Sequence, residues 1–315
     1  MKRYLYNDLK KWQTSAGRKP LVLFGARQVG KTWLLKEFGK NEYKNTAFVS
    51  FDRNEAACQL MTSEKDAEKL LRGLAAITGT DITPGESLLI LDEIQDCPVA
   101  LTRLKTFAED APQYHVAACG SLLGIALHEG VSYPVGMVDE KNLYPMTYGE
   151  FLLANGKEKM EELLRQNDWH LAGMLSNEYI DLLRQYYYVG GMPAAVKAYV
   201  EGNGLNAVRT TQKMILKDYD RDFSKHAPAR IVPKIRMVWQ CAVSQLSKEN
   251  KKFIFGAMKK GARASEFEEA IQWLTDAGII YKVNRVTSVK MPLKFYEERE
   301  AFKLFVLDIG LMGAM

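Results

Sequence analysis

The densest chemistry in this chain lies in "GARQVGKTW", residues 25–33: Gly25, Ala26, Arg27, Gln28, Val29, Gly30, Lys31, Thr32 and Trp33. The run up to Thr32 fits G-x-x-x-x-G-K-[ST] in full, the pattern of a Walker A loop. Glycines let backbone approach phosphate closely, amide N–H groups at a helix start face the anion, a lysine neutralises the terminal phosphates, and a hydroxyl holds magnesium. Gly25, Gly30, Lys31 and Thr32 meet these requirements. The whole run is therefore the expected nucleotide contact surface, with Mg²⁺ as the expected metal.

Magnesium also needs a hard oxygen ligand from elsewhere in the protein. "SLLILDEIQD" supplies one: four aliphatic residues, Leu88 to Leu91, lead into Asp92 and Glu93, the pattern of a Walker B strand. Asp92 is expected to hold Mg²⁺ through water. Glu93 is expected to orient and polarise the water that attacks the γ-phosphate, with Lys31 neutralising charge beside it. A third apolar run, "YHVAACGS", ends at Ser121, which is read as the catalytic polar residue beside the γ-phosphate. A Gly-Ser turn also serves the backbone alone, and both readings stay open. No N-K-x-D or T-K-x-D occurs, so the usual guanine-reading motif is absent and ATP is the expected nucleotide.

Such residues have to be held by strand ends. "PLVLF", "NTAFVSFD", "SLLIL" and "YHVAAC" read as buried strands separated by helical stretches, which is α/β patterning with a parallel sheet. The fold class expected is a P-loop NTPase core of the additional-strand, catalytic-glutamate class, occupying residues 1–146. Residues 147–229 read as a helical lid or linker, in which Tyr179, Tyr186 and Tyr187 are expected to pack in a core and "VGGMP" to turn, with Pro193 opening the next helix. Residues 230–290 read as a winged-helix module. Pro233 opens its first helix, "NKKFIFGAM" forms its second, and Ser265 with Glu268 caps its third; Phe267, Ala270, Ile271 and Leu274 line one face, and Gly278 stops it before "IIYKV". Residues 291–315 are expected to begin a further, incomplete domain.

Together "RKPLVLFGARQVGKTWLLKEF", "LLILDEIQDCP", "AACGSLLG", "LYPMTYGEFL", "YYYVGGMP" and "FKLFVLDIGLM" resemble the bacterial and archaeal AAA-type P-loop ATPases whose C-terminal domain is of unknown function. The resemblance implies an ATP-binding core, a helical segment, a winged helix and then a domain resembling restriction-endonuclease folds, of which this chain would hold only the start. It implies no substrate. It also exposes a departure: after Gly136 such relatives often carry Arg or Lys, and here Met137 stands.

The chain's 315 residues, 47% hydrophobic and 26% charged, suit a multidomain globular protein, and no stretch approaches the roughly 18 apolar residues of a membrane span. The N-terminus lacks the apolar core of a signal peptide, so the expected compartment is the cytoplasm. Cys58, Cys97, Cys119 and Cys241 stand apart without CxxC spacing and read as buried free thiols. A net charge of +5 does not announce a nucleic-acid binder. Between Lys213 and Arg263, however, basic residues outnumber acids about three to one, which suits phosphate, whereas Glu266, Glu269 and Asp276 on the third helix repel it. Nonspecific DNA and a partner protein stay open as partners, with no membrane. Arg27, Arg103 and Arg184 are candidates for an arginine acting on a neighbouring subunit's nucleotide, and Arg3 and Tyr6 for reaching the adenine. The function expected is a Mg-dependent AAA-type ATPase coupled to DNA or a partner protein; the alternative is a nucleotide-gated switch with little hydrolysis.

Overall fold

The apolar runs become the strands of a single parallel sheet. A computed structural model describes residues 1–121, 133–246 and 253–315, which fall into two units, Met1–Tyr144 and Pro145–Met315. In the first, strands β1 (Leu21–Phe24), β2 (Asn45–Ser50), β3 (Ser87–Asp92), β4 (His115–Cys119) and β5 (Asp139–Asn142) pair in parallel in the order β2-β3-β4-β1-β5. Helices α1 (Leu5–Thr14), α2 (Lys31–Glu42), α3 (Glu55–Ser63), α4 (Ala67–Thr78) and α5 (Pro98–Asp110) connect and cover them. Every residue of β3 and β4 is buried, which is why both read as continuous rather than alternating apolar runs.

On one side of the sheet, Leu70, Leu74, Leu101 and Leu104 pack with Leu89 and Leu91. Each fully buried leucine contributes on the order of 2 kcal/mol. Asp66 caps α4 by accepting the Lys69 N–H at 2.9 Å, which fixes where that helix begins. Strand β4 is interposed between the other two: Ala117 faces Leu21 of β1 on one side and Ile90 of β3 on the other.

The four-free-thiol expectation is corrected here. Cys58 of α3 and Cys97, which precedes α5, form a disulfide with Cα atoms 5.6 Å apart, while Cys119 and Cys241 are free. The partners are 39 residues apart. They meet only because α3 and α5 pack together, which spacing alone does not reveal.

The second unit contains α6 (Tyr148–Ala154), α7 (Glu158–Arg165), α8 (Trp169–Met174), α9 (Ser176–Val189), α10 (Pro193–Val200), α11 (Gly204–His226), α12 (Val232–Leu246) and α13 (Ala264–Asp276). An antiparallel pair, β6 (Ile280–Val286) and β7 (Glu297–Val306), and a short α14 (Ile309–Met312) follow. "VGGMP" does turn, and Pro193 opens α10. The turn is also a crossing point: a Cβ on Gly191 would collide with the Met146 backbone, and Asp308 accepts the Gly191 N–H at 2.6 Å and the Leu311 N–H at 2.9 Å. Burial raises the Asp308 carboxyl above the ordinary carboxylate range, against the pull of those backbone donors.

Of the three tyrosines, Tyr179 is buried and donates its hydroxyl to the Met160 carbonyl at 2.7 Å, Tyr186 donates to Met146, and Tyr187 is exposed. The expected helix "NKKFIFGAM" begins outside the described residues, and its described part is not α-helical. Ile254 is extended, Phe253 is in no helix, and only Phe255–Ala257 makes a 3₁₀ turn. The cause is competition for backbone groups. Phe253 N–H donates to the Phe302 carbonyl of β7 at 2.9 Å, and the buried Gln245 amide takes both the N–H and the carbonyl of Ile254, at 2.5 and 3.2 Å. The third helix starts at Ala264, and Glu266 accepts the Arg263 N–H at 3.4 Å in place of the expected Ser265–Glu268 box.

His115 lies in the core of the first unit, with Nδ1 2.7 Å from the Tyr43 hydroxyl and its ring against Trp12. Burial, helped by nearby Arg18, lowers its pKa from 6.5 to about 4. The folded state therefore refuses a proton that the unfolded chain accepts below pH 6.5. Stability from this group is complete above that pH and lost as pH falls toward 4, by up to about 3 kcal/mol. Urea denaturation at pH 7.5 and 5 is expected to show this loss in the wild type and a flatter dependence in His115→Gln. Equal slopes in both proteins would exclude His115 as its source.

Candidate nucleotide site

The phosphate loop forms because β1 must turn sharply into α2. Gly25 (φ 145°), Gln28 (φ 66°) and Gly30 (φ 95°) all take positive φ, and a side chain on Gly25 would run into the Leu143 carbonyl. Ala26 and Val29 are buried beneath the loop, and Trp33 on α2 is exposed. Arg3 braces the loop from outside the motif. It is buried, and its guanidinium donates to the Val29 carbonyl at 2.9 Å and to the Tyr144 carbonyl at 2.5 Å. Tyr6 instead donates to Glu42 at 2.8 Å.

Lys31 begins α2 and is only 6% exposed. Its ammonium donates to the Gly25 and Ala26 carbonyls at 2.7 and 2.8 Å. Burial pulls its pKa down to about 8, opposed by Cys119, Glu93 and Asp92. Those three opposing groups are the ends of β3 and β4, so the register of the sheet brings loop and acids together.

Thr32 donates its hydroxyl to Asp92 Oδ1 at 2.9 Å, with Oδ2 at 3.2 Å. From the other side the Cys119 thiol donates to Asp92 Oδ1 at 2.9 Å, and burial among these acids raises the thiol well above its ordinary pKa. No group of three or more His, Cys, Asp or Glu able to hold a metal occurs among the described residues. A hydroxyl beside a carboxylate nevertheless fits Mg²⁺ bound with a nucleotide, since that ion takes few protein oxygens and completes its shell with phosphate and water. Thr32 and Asp92 would hold it.

Glu93 follows in a left-handed conformation (φ 47°, ψ 48°) that a residue with a Cβ adopts only when held. Its Oε2 accepts the Ser121 N–H at 3.1 Å, the Ser121 hydroxyl at 3.0 Å and the Gln95 amide at 2.6 Å. The structure thus gathers Lys31, Thr32, Asp92, Glu93 and Ser121 from three strand ends, along with Cys119 and Gln95, which sequence reasoning missed. Cys119 was findable as the last residue of the strand beside Asp92; Gln95 carried no signal.

Other candidates lie elsewhere. Arg103 donates to the Met61 carbonyl at 2.9 Å, and Arg184 pairs with Asp181 at 3.0 Å. Met137 closes a turn onto the Pro134 carbonyl and lines a cavity of about 290 Å³ with Thr102, Lys105, Tyr133, Pro134 and Val135; none of the loop, Asp92, Glu93 or Ser121 lines it. No helix among the described residues is long and apolar enough to cross a membrane.

Residues 17–152 match the family model of the AAA domain, and residues 180–315 match a domain of unknown function, DUF8612. No curated protein matches the chain. A Walker-type ATPase of Pyrococcus abyssi has a similar fold, with a TM-score of 0.59 at 13% identity over 98% of this chain and 93% of that one. The Aeropyrum pernix ORC1 protein in complex with DNA gives 0.33 at 15% identity (98% and 89% covered), and the Thermotoga maritima RuvB Holliday junction branch migration motor gives 0.39 at 12% (96% and 90%). Scores this low carry no argument for this chain. The family match and the first fold likeness support an AAA-type ATPase domain with an α/β P-loop core, joined to a C-terminal domain without an assigned role.

Thiol labelling tests the cysteine arrangement of the site. Without reductant, iodoacetamide is expected to label Cys241 alone in the folded protein, to add Cys119 on denaturation, and to reach all four only after reduction. Rapid labelling of Cys119 in the folded protein, read by mass spectrometry, would contradict its placement against Asp92.

Proposed function

Taking residues 17–152 as an AAA-type ATPase domain, we propose that the chain binds ATP with Mg²⁺ across residues 25–33 and hydrolyses it. The observation that carries this reading is the meeting of the Thr32 hydroxyl with Asp92 at 2.9 Å, a loop and a strand end brought together where a phosphate-bound metal would be held. Lys31 exchanges its loop carbonyls for phosphate oxygens. Glu93 takes the proton of the attacking water, and Ser121 steadies that carboxylate. The position of β4 between β1 and β3, with Glu93 adjoining Asp92, supports reading the core as of the additional-strand, catalytic-glutamate class.

Lys31→Ala is expected to weaken ATP binding at least tenfold. Glu93→Gln should keep binding and lose turnover by about 10²–10⁴. Fluorescent-nucleotide titration and phosphate release measure the two quantities, and unaltered turnover in Glu93→Gln removes Glu93 from the catalytic role.

In the second unit β7, which lies beyond residue 290, pairs with β6; α12, the 3₁₀ turn, α13 and β6, all within residues 230–290, are read as a winged helix. Its expected recognition helix presents acids, one of which, Glu269, pairs with Arg230. Basic charge lies instead on α11, where Lys213, Lys217, Arg221 and Lys225 are exposed and recur every four residues, about 6 Å apart along the axis. Such a row favours nonspecific contact with a nucleic-acid backbone over groove reading. The second reading, a nucleotide-gated switch with slow hydrolysis, is favoured by Met137 standing where the resembled family carries a cation.

Duplex DNA binding is expected to fall steeply between 50 and 200 mM salt and to be lost in Lys213→Glu/Lys217→Glu. DNA-stimulated turnover supports the ATPase reading. Slow turnover with and without DNA supports the switch, and absence of binding at low salt removes DNA as a partner.

A further inference from the structure

Gln95 belongs to no motif, yet it is the donor nearest the Glu93 carboxylate. It lies in the 3₁₀ turn Ile94–Asp96 that follows β3, and its side chain reaches back so that Nε2 sits 2.6 Å from Glu93 Oε2. An ionised carboxylate only accepts, so the amide must present its N–H₂ to Glu93 and turn its carbonyl away. That carbonyl, Oε1, is buried with no hydrogen-bond partner among the described residues. It lies against Gly120, where any Cβ would overlap it. Two unfavourable features, the orphaned Oε1 and the left-handed Glu93 backbone, are thus held in place together. Both serve one arrangement: Gln95 and Ser121 direct three hydrogen bonds to Oε2, and Oε1 takes none of these bonds.

We propose that Gln95 is a positioning residue for ATP hydrolysis, which with the space left by Gly120 fixes the Glu93 carboxylate so that Oε1 is the proton acceptor. This rests on the ATPase reading above. In the step, the water oxygen bonds to the γ-phosphorus as the bond from that phosphorus to the ADP oxygen breaks. ADP leaves with the electron pair, and the water proton passes to Oε1. Gln95 touches neither water nor phosphate; it acts by denying Glu93 its other rotamers. Gly120 is required for a separate reason from the loop glycines, since it gives the Gln95 carbonyl somewhere to lie.

Two variants reach the same contact from opposite sides. Gln95→Met keeps length and volume but removes the donor, and Gly120→Ala displaces the Gln95 side chain while Glu93 itself is left unsubstituted. Steady-state ATP turnover and ADP affinity are measured for each in the full chain, beside wild type and Glu93→Gln, with folding checked by circular dichroism. Both variants are expected to lower kcat about 10- to 100-fold, with KM for ATP and Kd for ADP within about twofold of wild type. A folded variant with unchanged or raised kcat, or one whose ADP affinity falls in step with kcat, overturns the proposal. If wild type turns over and Glu93→Gln does not, that failure belongs to Gln95 alone; if wild type itself shows no Mg-dependent turnover, the ATPase reading fails and this role with it.

Discussion

The width of one strand governs the site. With β4 paired to both neighbours, β1 and β3 lie about 10 Å apart, and the phosphate loop must lean across that gap for Thr32 to reach Asp92. The end of β4 then lies beneath the junction and furnishes what the gap exposes. Cys119 donates to Asp92, Gly120 makes room, and Ser121 donates to Glu93. A small residue suits the strand's end: a Cβ on Gly120 would overlap the Gln95 amide oxygen. The charges that meet there are mutually dependent, since the Glu93 and Asp92 carboxylates oppose the burial that would strip the Lys31 ammonium of its proton.

The loop residues and Asp92 could be read from sequence because phosphate and magnesium dictate residue types directly, at fixed spacing on adjoining elements. The pairing of Ser121 with Glu93 was legible only as a position past the right strand; its partner depends on register. Gln95 was illegible as part of the site, and Arg3 was read as reaching the adenine, not as a brace on the loop. The first acts on a residue two positions before it from within the turn Ile94–Asp96, and the second through a side chain crossing 26 residues to the Val29 carbonyl. Where sequence reasoning failed outright, a distant side chain had intervened. Gln245 captures the backbone of Ile254 that a helix would have used, and Cys58 meets Cys97 through helix packing.

In the second unit, two segments that look unrelated in sequence, "VGGMP" and "VLDIG", turn out to specify each other. Glycines at 190, 191 and 310 allow backbones to touch, and Asp308 satisfies the amides exposed by that closeness. That one carboxyl, raised by burial, both caps α14 and ties it to the turn after α9. A Cβ at Gly190 would overlap the Asp308 carboxylate and one at Gly310 the Val189–Gly190 backbone, while one at Gly191 would overlap the Met146 backbone.

Arg3 has a bearing on how the ATPase core is delimited. The family match begins at residue 17, so a fragment trimmed to it would retain every loop residue and both strand-end acids, yet lose the guanidinium that grips the Val29 and Tyr144 carbonyls. The contacts that brace the loop therefore begin before the matched residues. Arg3 thus works as a clasp: one side chain from ahead of the signature holds the loop's Val29 carbonyl and the chain past β5 in a single grip.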